Sequence, residues 1–473
     1  MTMLDTTSAR DGGTRPVVDH EALDDLRARV DGPVLAGTDA AASEETATFN
    51  LAVTHQPDLV VGATSTEDVA AAVAWAARRG LPVAVQGAAH GATAAVHGAL
   101  FISTRRMDDV QIDPVRGVAR VGAGTRWADV LAAAAPHGLA GVSGSSSHVG
   151  VVGYSLGGGM GPMSRQYGFA ADRVRSLELV TADGRTCHVD EHSDPELFWA
   201  VRGGKGSFGI VTSMEIDLVP VSEIYGGAVF YAGHSARDVL HSFRTWSPTL
   251  PERAGASIAL LRLPESPHLP PMLSGQFVVQ LRFSFTGGEH EGAGLLAPML
   301  DAGEVLIQGV AAMPYTAVDS IHQDPTEPMP VWEKGLLLSE LGVEGVEAVL
   351  ELAGPDVASP LVMVELRLMG GAIGRQPRVP NAVAGREGAF SVFALGVLAP
   401  GIEEAVPQAG TALVSALQPW STGTVLLNWL GAADADEVAR AWTPETYRRL
   451  RAVKQRLDPT DVFRFGHVVR ALP

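Results

Sequence analysis

Four short patterns in this chain carry residue types that could do chemistry, and each also has a plain structural reading. His90 lies in the run Gly87-Ala88-Ala89-His90-Gly91-Ala92, where small neighbours leave an imidazole open to a ligand. A lone loop histidine more often serves a local hydrogen bond. His90, His97, His137 and His148 show no pair at helical metal-site spacing, and Cys187, the single cysteine, assists none of them. That lone cysteine also excludes an internal disulfide and an iron–sulfur cluster. Gly153-Tyr154-Ser155-Leu156-Gly157 spells the GxSxG nucleophile elbow, so a serine hydrolase acting through Ser155 is one reading. HVGVV before it could supply the strand, but the following GGGMGP is a poor helix start, and no HGGG-type oxyanion loop lies upstream. Gly204 to Gly209 spells GxGxxG, yet it follows a helical pattern and runs into a strand, the reverse of a dinucleotide site. Glu365 and Arg367 are two apart on a strand-like run and share a face, which by itself reads as a solvated surface.

The elements that must position these residues are legible from turn and period signals. LVVGATSTEDVAAAVAWAARRGLPVAVQG reads as strand, capped helix and strand: Ser65 caps, Val69, Ala72, Val73 and Ala76 form an apolar stripe, and Gly80 with Pro82 stops the helix. Ile112 to Gly122 and 177–189 read as hairpins, the second turned by Asp183-Gly184. RWADVLAAAA is a short helix stopped by Pro136; another runs from Asp194 through Trp199, and Phe208–Val219 is a strand. Beyond Val221 the runs 256–263, 276–285, 361–369 and 388–398 read as strands between Pro-rich loops and helices. Phe277, Val279, Leu281, Phe283 and Phe285 alternate with Gln280, Arg282 and Ser284, giving one apolar face. An antiparallel sheet backed by helices, a second domain, follows. The chain before residue 45 is expected to be loosely ordered except for a helix near Glu21–Val30, and the last 50 residues to form a helix and a tail.

Length and charge bound the partners. A chain of 473 residues can bury a large core in two or three domains. With 53 acidic and 35 basic side chains, the net charge is −18, the wrong sign for nucleic acid or an anionic membrane. No apolar signal-peptide core opens the chain, so the expected location is the cytoplasm. Between Asp129 and Arg165 lie 35 residues without Asp, Glu, Lys or Arg, but nine glycines and six serines make a membrane span a poor reading. Buried loops around a bulky cofactor fit better.

Four segments, in order, resemble the berberine bridge enzyme-like branch of the vanillyl-alcohol oxidase (PCMH-type) flavoproteins. VVGATSTEDVAAAVAWAARRGLPVAVQGAAHGA is similar to the family's first flavin segment and GSSSHVGVVGYSLGGGMG to its second. LELVTADGRTCHVDEHSDPELFWAVRGGKGSFGIVTSMEI resembles the third nearly residue for residue, and YRRLRAVKQRLDPTDVFRFGHVV the C-terminal signature. The resemblance implies an α+β fold: an FAD-binding domain of 1–222 completed by 422–473, and a substrate domain of 223–421. It implies FAD, a small-molecule substrate of natural-product type and dioxygen as partners, and the activity of an oxidase. It places Gln86, Gly87, Ala88, Ala89, His90, Gly91, Ala92, Ser145, Ser146, Val149, Gly150, Gly153, Tyr154 and Ile210 at the cofactor. Uncharged loops of this kind can cradle a diphosphate with backbone amides. His90 falls at the family's 8α-histidyl position. The cysteine of a second flavin bond is Ser146 here, so one covalent link at most is expected. Ala88 and Ala89 replace glycines, and positive φ there would cost about 1–2 kcal/mol each. Val149 occupies the position that governs oxygen access. The family's catalytic tyrosine is absent, because the segment reads Leu426-Leu427-Asn428-Trp429. Glu365, Arg367 and Asn428 are then the candidate catalytic residues. Glu365 is expected to act as a base through a carboxyl raised by desolvation, with Arg367, Arg282 or Gln280 near it. A non-catalytic flavin or ligand carrier is the other alternative.

Overall fold

The computed structural model describes residues 20–471, so the order expected for residues 1–19 lies outside it. Three sheets build the molecule. In the first, Val34–Ala36, Leu59–Gly62, Leu100–Ser103 and Val83–Gln86 lie side by side, the last three parallel. The second is an antiparallel sheet of five strands containing both expected hairpins, in the order Val110–Asp113, Val118–Gly122, Ile210–Asp217, Val174–Val180, Thr186–Asp190. The third has eight antiparallel strands drawn from Glu223 to Val397. The stretch up to residue 45, expected to be loose beyond its first helix, instead supplies an edge strand and most of the short Ala42–Thr46 helix, because Val34, Leu35 and Ala36 find partners in the Leu59–Gly62 strand.

Local signals explain most elements. The Thr66–Arg78 helix starts where Ser65 accepts from the Asp68 amide at 3.1 Å, and the stripe Val69, Ala72, Val73 and Ala76 is fully buried with Trp75. Asp194 caps Pro195–Gly204 by accepting from the Leu197 amide at 3.0 Å. GxGxxG indeed joins the end of that helix to the Ile210–Asp217 strand. The C-terminal signature is structural: Asp458 accepts from the amides of Val462 (2.7 Å) and Phe463 (2.9 Å) while pairing with wholly buried Lys454 at 2.7 Å. Lys454 also donates to the Ser207 carbonyl, which ties the tail to the end of that glycine loop.

The strand Phe277–Phe285 shows what a sequence period leaves open. Its apolar face packs into the second-domain core under the helices Ala236–Trp246 and Glu289–Leu300. Its polar face is buried too: Gln280 is 1% exposed, Arg282 4% and Ser284 4%. That face meets the loops of the first two sheets, and Ser284 Oγ donates to the Pro162 carbonyl at 2.9 Å. Arg165 reaches across to the carbonyls of Leu250, Pro251, Ala254 and Met369. Among the described residues no helix is long and apolar enough to cross a membrane.

Candidate active site

Strand register lays out the polar floor. Arg282, Ser257, Arg367 and Ser391 stand opposite one another on four adjacent strands, as do Gln280, Ala259, Glu365 and Phe393 one step along. Neighbours two apart on each strand share the face. Small Ala259 leaves room for the Glu365 carboxylate to lean toward the first row. There Oε1 accepts from Ser257 Oγ at 2.5 Å and pairs with Arg282 Nη1 at 2.9 Å, and Oε2 pairs with Arg367 Nη2 at 3.0 Å. Glu365 is therefore buried but saturated. The face is not solvated, and the raised carboxyl expected of a base is overturned. Burial pushes its pKa up, yet Arg367, Arg282 and His322 together with the Ser257 hydroxyl outweigh burial and hold it well below the usual carboxylate range.

Arg367 is held less completely. Its Nη1 makes a 3.4 Å contact to the Met160 carbonyl and its Nε has no partner. Its guanidinium lies 4.7 Å over the Trp429 ring, so Trp429 is a platform for the arginine. Asn428 beside it is committed to backbone: Nδ2 donates to the Tyr154 carbonyl at 2.9 Å, and Oδ1 occupies the space a side chain at Gly157 would need. Asn428 thus fixes the helix Val151–Leu156.

Sequence reasoning missed His322. It closes the helical turn Asp319–His322 and is 6% exposed, with Nε2 3.3 Å from Arg367 Nη2. Because a guanidinium only donates, Nε2 accepts, and the ring proton sits on Nδ1, which has no partner. Burial first, then Arg282 and Arg367, push its pKa down to about 3. The same turn reaches the loop at the other side: Asp319 accepts from the Ser147 amide (2.7 Å) and hydroxyl (2.6 Å). A second missed group, Lys205 with Glu333, lies near Asn428 at Gly157; burial lowers the lysine to about 8 and raises the glutamate to about 7. Neither group has a local sequence signature, since each is assembled from distant segments.

The two expected cofactor loops meet. A Cβ on Gly150 would lie 2.9 Å from that of Ala88. Among the described residues, no amide of 87–92 donates to another group of the chain, nor do those of Ser145, Ser146 and His148. A set of unpaired amides from two adjoining loops fits a diphosphate-bearing cofactor without cationic side chains. Ala89 does take φ +64, while Ala88 keeps an ordinary φ, so one of the two feared strains is present. His90 stands 4.5 Å from the Phe49 ring, half-buried, and burial lowers its pKa. Asp324 acts electrostatically on both His90 and His322, so one carboxylate lies within range of both rings. Ser146 is buried and Val149 half-buried; Gly91 and Gly153 have open space where a side chain would stand. The Tyr154 ring is clamped between Gly144 and Gly159, its hydroxyl unpartnered. Two of the expected cofactor residues point elsewhere. The Gln86 side chain bonds the Ala47 carbonyl and His55, and Ile210 is buried in the apolar core of the first sheet. Ser155 is wholly buried inside a helix rather than exposed at a strand-to-helix elbow, which removes the hydrolase geometry.

Comparison with known proteins agrees. An FAD binding domain model matches residues 57–190, and a berberine and berberine-like model matches 428–470. The chain is 29% identical over 438 residues to (R)-6-hydroxynicotine oxidase of Paenarthrobacter nicotinovorans, covering 87% of this chain and 91% of that protein. It is 27% identical over 467 residues to an FAD-linked oxidoreductase of Bacillus subtilis, covering 94% and 98%. The crystal structure of 6-hydroxy-D-nicotine oxidase from Arthrobacter nicotinovorans superposes with a TM-score of 0.78 at 25% identity, covering 93% of this chain and 98% of that one. A xylooligosaccharide oxidase from Myceliophthora thermophila superposes at 0.83 with 21% identity, covering 96% and 99%, a likeness of fold alone. The two family models thus match the two signature regions, and along nearly its whole length the chain is similar to FAD-linked oxidoreductases.

Proposed function

We propose that the chain oxidises a bulky organic substrate of natural-product type in the cytoplasm, with FAD attached once, through His90, and dioxygen as the final acceptor. Bound FAD supplies the hydride acceptor that no side chain can. The observation that carries the reading is the meeting of the 87–92 and 144–150 loops, with free amides and His90, and their link through Ser147 and Asp319 to the turn that carries His322. Ser146 lacks a thiol, which limits attachment to one bond. Val149 is half-buried with its carbonyl fixed by the Trp127 amide at 3.0 Å, and its short side chain leaves room for dioxygen.

The chain's own groups have separable tasks. Glu365 anchors Arg367 rather than accepting a proton. Arg367 and His322 offer donors to the substrate oxygen, and Asn428 with Gly157 holds the helix below. The matched relative is named for oxidising 6-hydroxynicotine, which supports a small organic substrate. The test is colour and its reversal. The purified protein should be yellow, bleach anaerobically with a substrate, and regain colour in air with one hydrogen peroxide formed per turnover. A colourless protein would remove the flavin reading. A yellow protein bleached by no candidate substrate would point to a carrier, and bleaching that air does not reverse would remove dioxygen.

A further inference from the structure

We propose that the pocket over Arg367 selects substrates carrying a carboxylate, which docks against Arg367 and His322. This rests on the oxidase reading and names its substrate class. The cleft is lined by Arg165, Arg282, Arg367 and His322 beside apolar Met160 and Ile373, and among the described residues Glu365 is the one carboxylate in ion-pair contact with the cluster. Three guanidiniums against one acid leave an excess of positive charge in a buried site. Arg165 and Arg282 spend their donors on carbonyls, Gln280 and Glu365. Two further acids act on the cluster without an ion pair to any of its three arginines: Glu252, paired with Arg375, acts on Arg165, and half-buried Asp324 acts on His322.

The unmet groups of Arg367 and His322 are all donors, while the unpartnered Ser391 and Tyr154 hydroxyls can donate or accept. Arg367 Nε has no partner, its Nη1 has only a 3.4 Å contact, and His322 Nδ1 carries a proton with nothing to receive it. Every Glu365 oxygen, by contrast, is already bonded. A buried donor without an acceptor is costly, and a charge-assisted bond to an anion relieves it best. A cationic or donor-rich substrate would meet donors with donors. A carboxylate has two acceptor oxygens and one negative charge, which matches both counts.

The test uses the flavin-loaded protein and two ligands of matching shape, anionic 2-naphthoate and neutral 2-naphthamide, with binding followed by calorimetry. The carboxylate should bind at least tenfold tighter than the amide at pH 7.5. Arg367→Gln should weaken 2-naphthoate at least tenfold and change 2-naphthamide less than threefold. Equal affinity of the two ligands in the wild type, which needs no variant, would overturn the proposal. So would an Arg367→Gln protein that binds 2-naphthoate as wild type does, or one in which only the flavin reduction potential moves, since the charge would then serve the cofactor. The absorbance of bound flavin reports separately on the oxidase reading: carboxylate preference in a colourless protein would sink that reading and leave a carboxylate-binding site without a substrate role.

Discussion

Replacing Glu365 with Gln isolates the claim that this carboxylate anchors charge rather than accepts protons. The side chain is 3% exposed and neutralises two guanidiniums, Arg282 at 2.9 Å and Arg367 at 3.0 Å. Glutamine keeps the size but presents an amide donor to one arginine and leaves two buried positive charges without a counter-ion. Removing one partner of such a buried pair typically costs about 3–5 kcal/mol. That is a large share of the roughly 5–15 kcal/mol that holds a typical domain folded. Urea unfolding of flavin-loaded protein, followed by Trp246 fluorescence in the second-domain core, should show that loss. The pH dependence has a defined sign. The folded-state pKa lies below the unfolded one, so the contribution of Glu365 is fully present above about pH 5 and is lost only as pH falls below the usual carboxylate range. Wild type and Glu365→Gln should therefore differ by a constant amount from pH 5 to 8. Arg282→Gln added to Glu365→Gln should recover part of the loss by removing one stranded charge. A loss under about 1 kcal/mol, or a kinetic pH limb near neutrality that vanishes in Glu365→Gln, would refute the anchoring role and restore the base.

Three further outcomes follow from the same geometry. Ala89→Gly should raise stability by about 1 kcal/mol, because alanine at φ +64 carries a left-handed penalty that glycine lacks, and an unchanged or lower urea midpoint would contradict it. His322 stays neutral in the fold to about pH 3, whereas the unfolded chain binds its proton near 6.5, so wild type should lose stability as pH falls from 7 to 4.5. His322→Gln should lose less over that range, and parallel curves would remove the histidine from the account. Val149→Leu should slow the reaction of reduced protein with dioxygen in stopped flow while leaving anaerobic reduction nearly unchanged, and equal rates would show that this position is no gate.

Sequence reached far where signals are local. Both hairpins, the Ser65 and Asp194 caps, the direction of the GxGxxG segment and the alternation in Phe277–Phe285 are short-range, and each was legible. The strands Glu223–Ala232 and Val331–Leu338 were not read, because burial on both faces blurs the period-two pattern in Ile224–Tyr231 and Gly335–Leu338. The site was harder for the same reason. Glu365 and Arg367 could be paired from their spacing, but the sign of the glutamate's shift depended on Arg282, whose strand lies across Ala254–Arg262 from theirs. His322 and Asp319 sit in a four-residue turn with no periodicity, although that turn joins the Ser147 loop to the arginine floor. In sequence Trp429 marks only a lost base; its contact with Arg367 gives it a different task.

The central claim, that His90 and two converging amide loops hold a singly attached flavin, is tested most directly by acid denaturation of the purified yellow protein. The flavin should precipitate with the polypeptide, and proteolysis should release one flavin peptide that contains His90 and none that contains Ser146. Flavin left wholly in the supernatant, or attached to a peptide without His90, would contradict the account.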